Sequence, residues 1–168
     1  MSLPASAAEV FRDHAARVLR FLRYLGVPEA ALGDASQEVF LVVHRRLGEF
    51  EGRASVETWL YEICMRIAQA ERRKRRDARE VPTETLPETQ ATAANVERQA
   101  ARELLVRALD TLDPDQRDVF VLADIEEVPM KRVALVLGCP LFTAYSRRRL
   151  ARTALRRELT RLCPEEGS

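Results

Sequence analysis

The side chains of this 168-residue chain best equipped for chemistry are its arginines, and they are clustered. Positions 147–161 hold seven arginines and a single glutamate, and positions 72–79, RRKRRDAR, hold six basic side chains and one acid. A guanidinium stays protonated at any physiological pH, and its planar fork pairs with phosphate oxygens and with the O6/N7 edge of guanine. The chemistry on offer is therefore anion recognition. The residues that catalysis needs are sparse. His14 and His44 are the only histidines, and Cys64, Cys139 and Cys163 lie far apart, with no CxxC pair and no histidines at metal-binding spacing. With no nucleophile–base pair and no glycine-rich phosphate loop, the reading is a binding protein rather than an enzyme, with no metal and no cofactor.

The net charge is only +1, so any nucleic-acid site must arise by local clustering. Residues 1–80 carry 14 basic and 12 acidic side chains, residues 101–168 carry 12 and 11, and the stretch between is acidic. A hydrophobic share of 46% and a charged share of 32% are those of a globular chain. Ala, Leu, Arg and Glu dominate, and these side chains lose little rotamer freedom in a helix. No apolar run is long enough to span a bilayer, and MSLPASAAEV lacks a basic segment followed by an apolar core. The cytoplasm is the expected location, with no membrane insertion; the scattered cysteines fit a reducing compartment.

The elements that must position the arginines read as helices throughout. The expected fold is all-α: a helical domain over 5–80, a flexible linker over 81–96, and a second helical domain over 97–163. In the first domain Phe11, Ala15, Val18, Leu22 and Leu25 recur at helical spacing until Gly26-Val27-Pro28 breaks the helix. Asp34 and Gln37 then read as the capping box of a second helix, with Ala35, Val39, Phe40, Val43 and Leu47 inward. After a loop over 48–54, Ser55 caps a third helix whose inward residues are Val56, Trp59, Leu60, Ile63 and Ile67. Beyond Ala70 that helix turns wholly cationic, which sends it toward solvent or an anion. The stretch VPTETLPETQATAANV (81–96), with two prolines and no Lys or Arg, has the composition of a tether.

In the second domain Ala100, Leu104, Ala108 and Leu112 share one helical face, and Asp113-Pro114 with Gln116 restarts the chain as a new helix. Pro129 opens a short helix that ends at Gly138, and a densely basic helix runs from about 142 to 162. Val133, Ala134 and Leu137 inside, a glycine turn at 138, then Ala144 inside: this is helix-turn-helix spacing. The second helix presents Thr143, Tyr145, Ser146, Arg147 and Arg149 near its start, so binding to duplex DNA is expected there. On physical grounds alone, Asp34, Gln37 and Glu38 are also compatible with simple compensation of a helix dipole.

Together the motifs resemble a family. DASQEVFLVVHRRLGEFEGRASVETWLYEI (34–63), followed by a basic helix, is similar to region 2 of the sigma factors of bacterial RNA polymerase. LDTLDPDQRDVFVLADIEEVPMKRVALVLGCPLFTAYSRRRLARTALRREL (109–159) is similar to region 4. Both regions in order, with a short linker and no room for regions 1 and 3, resemble the group 4, or extracytoplasmic-function, sigma factors. The resemblance implies that Asp34, Gln37 and Glu38 dock on the clamp helices of core RNA polymerase. It implies that the loop 50–55 and the helix after it capture the −10 promoter element as a melted strand, with Phe50, Arg53, Ser55, Arg66, Arg72 and Arg73 as DNA-binding residues. It also implies that 143–149 form the recognition helix for the −35 element, and that an anti-sigma factor is a possible partner. Some positions depart from the family pattern. Arg66 stands where Asn is common, Tyr145 where Lys is usual, Leu150 where a basic residue is common, and Phe142 where Gly is frequent. Arg148 stands where the family buries Leu, so Arg148→Leu is expected to stabilise.

The expected function is an alternative sigma factor that binds core polymerase and directs promoter-specific initiation. The rivals are a sigma-like adaptor without promoter reading and an ordinary helix-turn-helix regulator that binds duplex DNA without polymerase.

Overall fold

The structure is a computed structural model that describes residues 6–78 and 93–162. The described residues are helical and contain no strand, and they gather into two compact units, one on each side of the segment 79–92. Most of the linker expected over 81–96 lies outside the described residues; its last four positions belong to a helix that starts at Ala93.

The first unit is a three-helix bundle of α1 (Ala7–Tyr24), α2 (Glu29–Arg46) and α3 (Val56–Ala78). Ser6 caps α1, its Oγ accepting the Glu9 amide at 3.2 Å. The helix ends in a Schellman turn. Gly26, at φ +90°, donates to the Arg23 carbonyl at 3.0 Å, and Val27 donates to Leu22 at 3.1 Å. Arg23 then clasps Glu29 through three hydrogen bonds of 2.8–3.0 Å, tying the end of α1 to the start of α2. The core comprises Val10, Val18, Phe21, Leu22 and Leu25 against Leu32, Ala35, Val39 and Val43 and against Leu60, Ile63, Cys64 and Ile67.

Three local expectations are corrected here. Helix α2 starts at Glu29, with Pro28 extended at its N-cap, so Asp34 and Gln37 lie in mid-helix and cap nothing. Phe11 is 54% exposed because Val10 takes the inward position, and it meets the edge of Phe40, which is only half-buried. Trp59 is likewise half-buried rather than a core residue. Ser55 does cap α3, accepting the Thr58 amide at 3.1 Å.

The second unit contains α4 (Ala93–Asp110), α5 (Pro114–Phe120) continued by a π-type turn over Val121–Ile125, α6 (Met130–Val136) and α7 (Leu141–Leu162). Asp113 caps α5 by accepting the Asp115 amide at 3.0 Å, with Pro114 in the first helical position. Ala100 of α4 is exposed, contrary to the stripe read from sequence; burial begins at Ala108 and Leu109. Between α6 and α7 the chain turns through a second Schellman motif. Gly138, at φ +60°, donates to Leu135 at 3.2 Å, and Cys139 donates to Ala134 at 3.0 Å. Met130, Val133 and Ala134 of α6 are buried, as are Ala144, Ala151 and Leu155 of α7, which packs against α4, α5 and α6; the small alanines suit close helix approach.

Candidate nucleic-acid interface

Three exposed faces can be assembled from these elements. The first is on α2. Because the helix begins at Glu29, Gly33, Asp34, Gln37, Glu38 and Leu41 form one solvent-facing stripe at i, i+4, i+8 spacing. Asp34 and Gln37 have no hydrogen bond or ion pair with another described side chain. Leu41, 52% exposed, extends the acidic patch with an apolar contact. Sequence reading misses Leu41, although its i+4 spacing from Gln37 and i+7 spacing from Asp34 hold wherever the helix begins.

The second face runs along α3. The rings of Phe50 and Trp59 pack with centroids 5.0 Å apart and planes tilted by 31°. The loop between them carries Arg53, whose side chain is 85% exposed and paired with Glu51. Trp59, Arg66 and Arg73 are seven residues apart, a spacing that drifts by only about 20° per step on a helix, so they form one line. Arg66 and Arg73 are exposed. Two expected residues of this group have structural tasks. The Ser55 hydroxyl is the α3 cap, and Arg72 turns inward, its Nη1 donating to the Leu25 carbonyl at 3.0 Å across 47 residues of chain. The cationic helix end is therefore anchored to the bundle by one arginine and free along another edge.

The third face is α7. Its arginines divide into two sets. Arg147 is ion-paired with Asp115 in the first turn of α5. Arg148 grips Asp124 of the π-type turn with a fork, Nε to Oδ2 at 2.9 Å and Nη2 to Oδ1 at 3.0 Å, while Arg152 Nε reaches Oδ1 at 2.8 Å. Burial works to raise the Asp124 carboxyl, but the hydrogen bonds and charges of Arg148 and Arg152 outweigh it and hold the carboxyl below its ordinary value. The same hydrogen bond to Asp124 raises Arg148 further. Arg148 thus occupies the Leu-like position as a salt link between α7 and the turn. The guanidinium groups of Arg149, Arg156 and Arg157 have no ion-pair partner among the described residues. Tyr145, Arg149, Thr153 and Arg156 line a shallow open groove with the paired Arg148 and Arg152. Tyr145 is 51% exposed, and Thr143 and Ser146 are half-buried beside it.

Comparison with known proteins finds the same two parts in the same order. The family model described as Sigma-70 region 2 matches residues 10–78, and the one described as Sigma-70, region 4 matches residues 102–155. The ECF RNA polymerase sigma-E factor of Escherichia coli (strain K12) is 27% identical over 141 residues, 77% of this chain and 74% of that protein. The chain belongs to the extracytoplasmic-function sigma factors. The RNA polymerase sigma-H factor of Pseudomonas aeruginosa is also similar, at 27% identity over 144 residues, 79% of this sigma factor and 75% of that one. Among solved structures, the sigma factor RpoE of Bartonella quintana, crystallised with the anti-sigma factor NepR, shares the fold at a TM-score of 0.74 and 22% identity, over 91% of this chain and 96% of that one. CnrH, solved in complex with the cytosolic domain of CnrY, shares it at a TM-score of 0.65 and 23% identity, over 91% of this chain and 86% of that one. As a member of the group this is an alternative sigma factor, which binds core RNA polymerase and promoter DNA and directs transcription initiation. No helix among the described residues is long and apolar enough to cross a membrane.

Proposed function

We propose that this sigma factor divides its work among the three exposed faces: α2 for core polymerase, the line along α3 for the opened −10 strand, and α7 for the −35 duplex. The observation that carries the assignment is the true start of α2 at Glu29. It removes the capping task that would otherwise account for Asp34 and Gln37, and leaves with Glu38 an exposed acidic patch suited to a basic helical partner. On the second face, the Phe50–Trp59 ring pair offers a stacking platform, and Arg53, Arg66 and Arg73 carry unburied charge along the path of a strand. A stacked ring offsets part of the cost of unstacking a base, a few kcal/mol per step. Arg72 supports this face as an anchor of α3 rather than as a DNA contact, and Ser55 supports it as a cap. On the third face, Thr143, Tyr145, Ser146 and Arg149 read the groove. Arg147 joins them by exchanging Asp115 for DNA.

The protein performs no bond-making chemistry of its own and acts in the cytoplasm, where the polymerase is. A partner that occludes the α2 patch or α7 would inhibit it, as expected of an anti-sigma factor. The assignment is tested by permanganate reactivity of promoter thymines in the reconstituted holoenzyme. Trp59→Ala and Arg66→Ala are expected to keep upstream binding and lose reactivity around −10. Normal reactivity in both variants would remove the second face from the assignment.

A further inference from the structure

Phe142 is 83% exposed, the most exposed large apolar side chain among the described residues, and it is the second residue of the 22-residue helix α7. A phenyl ring left in water forgoes the favourable burial of its apolar area and cannot pair with phosphate, so electrostatic attraction to DNA does not account for it. Its position does. The inward face of α7 is set by Ala144, Ala151 and Leu155, and Arg147, Arg148 and Arg152 are tied back to Asp115 and Asp124. Phe142, Tyr145 and Arg149 follow at i, i+3 and i+7, one face of the helix with a ring, a phenol and an unpaired guanidinium in succession. In the major groove the C5-methyl of thymine is the apolar feature a side chain can meet, and guanine O6/N7 is the partner of an arginine fork.

We infer that Phe142 is a specificity-determining residue that packs on the C5-methyl of a thymine in the upstream element, beside the base pair reached by Arg149. Seven residues of helix rise about 10 Å, so that thymine lies within about three base pairs of a guanine read by Arg149. The inference rests on the assignment of α7 to the −35 duplex.

The test uses holoenzyme reconstituted from the full chain and core polymerase. Duplex fragments are selected from a randomised library, and each thymine of the selected upstream element is then replaced singly by deoxyuridine, which removes the methyl alone. The wild type is expected to lose about fourfold in affinity at one position, the factor that burial of one methyl converts to. Phe142→Ala is expected to be blind to that replacement while keeping its preference at the guanine, and Phe142→Leu to retain part of the discrimination. Circular dichroism of both variants is expected to match the wild type, since the ring is exposed. Selective binding by the wild type with no thymine–uracil discrimination anywhere, or discrimination that survives in Phe142→Ala, would overturn the methyl contact and leave the α7 assignment standing. Weakened binding of Phe142→Ala to core polymerase without DNA would assign the ring to a protein contact and overturn it too. Failure of the wild-type holoenzyme to select any upstream element would sink the α7 assignment itself, and this inference with it.

Discussion

Replacing Asp124 with Asn removes one negative charge and keeps the side-chain shape. Its carboxylate is 11% exposed and accepts four hydrogen bonds, two from Arg148 at 2.9 and 3.0 Å and two from Arg152 through Nε, at 2.8 Å, and Nη2. An amide at this site offers one acceptor oxygen, and its NH₂ faces a guanidinium, so at least one arginine loses its partner. Hydrogen bonds to charged groups contribute about 1.5–3 kcal/mol each. The arginine side chains are 26% and 53% exposed, and solvent screens them. After that discount the expected loss is about 1–2 kcal/mol for the pair of links. In a domain of this size that lowers the melting temperature by roughly 4–15 °C. The sign with pH is fixed by the depressed carboxyl. The stabilisation is full above the ordinary value of 3.8 and is lost as pH falls through the lower folded-state value. Thermal melts of the full chain, wild type against Asp124→Asn, should therefore differ at neutral pH and converge as the pH drops from about 4 to about 2. The same geometry reverses the expectation that Arg148→Leu stabilises. Leucine there leaves Asp124 with Arg152 alone, so this variant should melt below wild type, and a double-mutant cycle with Asp124→Asn should show coupling. Equal melting at neutral pH, or a gap that persists unchanged into acid, would show that the Asp124 charge does not stabilise the domain through Arg148 and Arg152.

Charge reversal at Asp34 and Glu38 combined with Gln37→Ala should leave stability within about 0.5 kcal/mol, since the positions are exposed and in mid-helix. Affinity for core polymerase should fall by about 1–2 kcal/mol or more, read by competition binding; an early melt with unchanged affinity would restore a structural role. Gly33 sits in the interior of α2 with open space where a Cβ would stand, so Gly33→Ala should stabilise by about 0.5–1 kcal/mol in a denaturant titration. Arg149→Ala should cost about 1–3 kcal/mol on the selected upstream element and relax one base pair. Arg157→Ala, two turns further along, should weaken all sequences alike and reduce the salt slope by about one; equal, sequence-blind losses for both would count against base reading.

What was legible in the sequence was what the backbone decides locally. Gly26-Val27-Pro28, Asp113-Pro114 and Gly138 mark helix ends through φ restrictions and caps that operate over four or five residues, and the structure places breaks at all three. The start of α2 was not legible. Pro28 is a poor capping residue by type, Gly33 looks like a break, and Asp34 with Gln37 imitates a capping box; the clasp of Arg23 on Glu29 and the burial of Leu32 override all three signals. Phe11 misled because helical spacing fits both Val10 and Phe11, and packing against α2 selects Val10. The division of the arginines into anchors and free groups depends on partners far away in the chain. Arg72 meets Leu25 across 47 residues, and Arg148 meets Asp124 across 24. No local pattern announces such pairs.

The two helical units are expected to act as one promoter-specificity factor on core polymerase. Run-off transcription with purified core polymerase tests this most directly, using a library of promoter fragments with and without the full chain. The prediction is that core alone yields no discrete transcript from the linear fragments, and that adding the chain yields discrete transcripts from a restricted set of them. Selective binding of the chain to duplex DNA without polymerase, and no transcripts in its presence, would contradict that role.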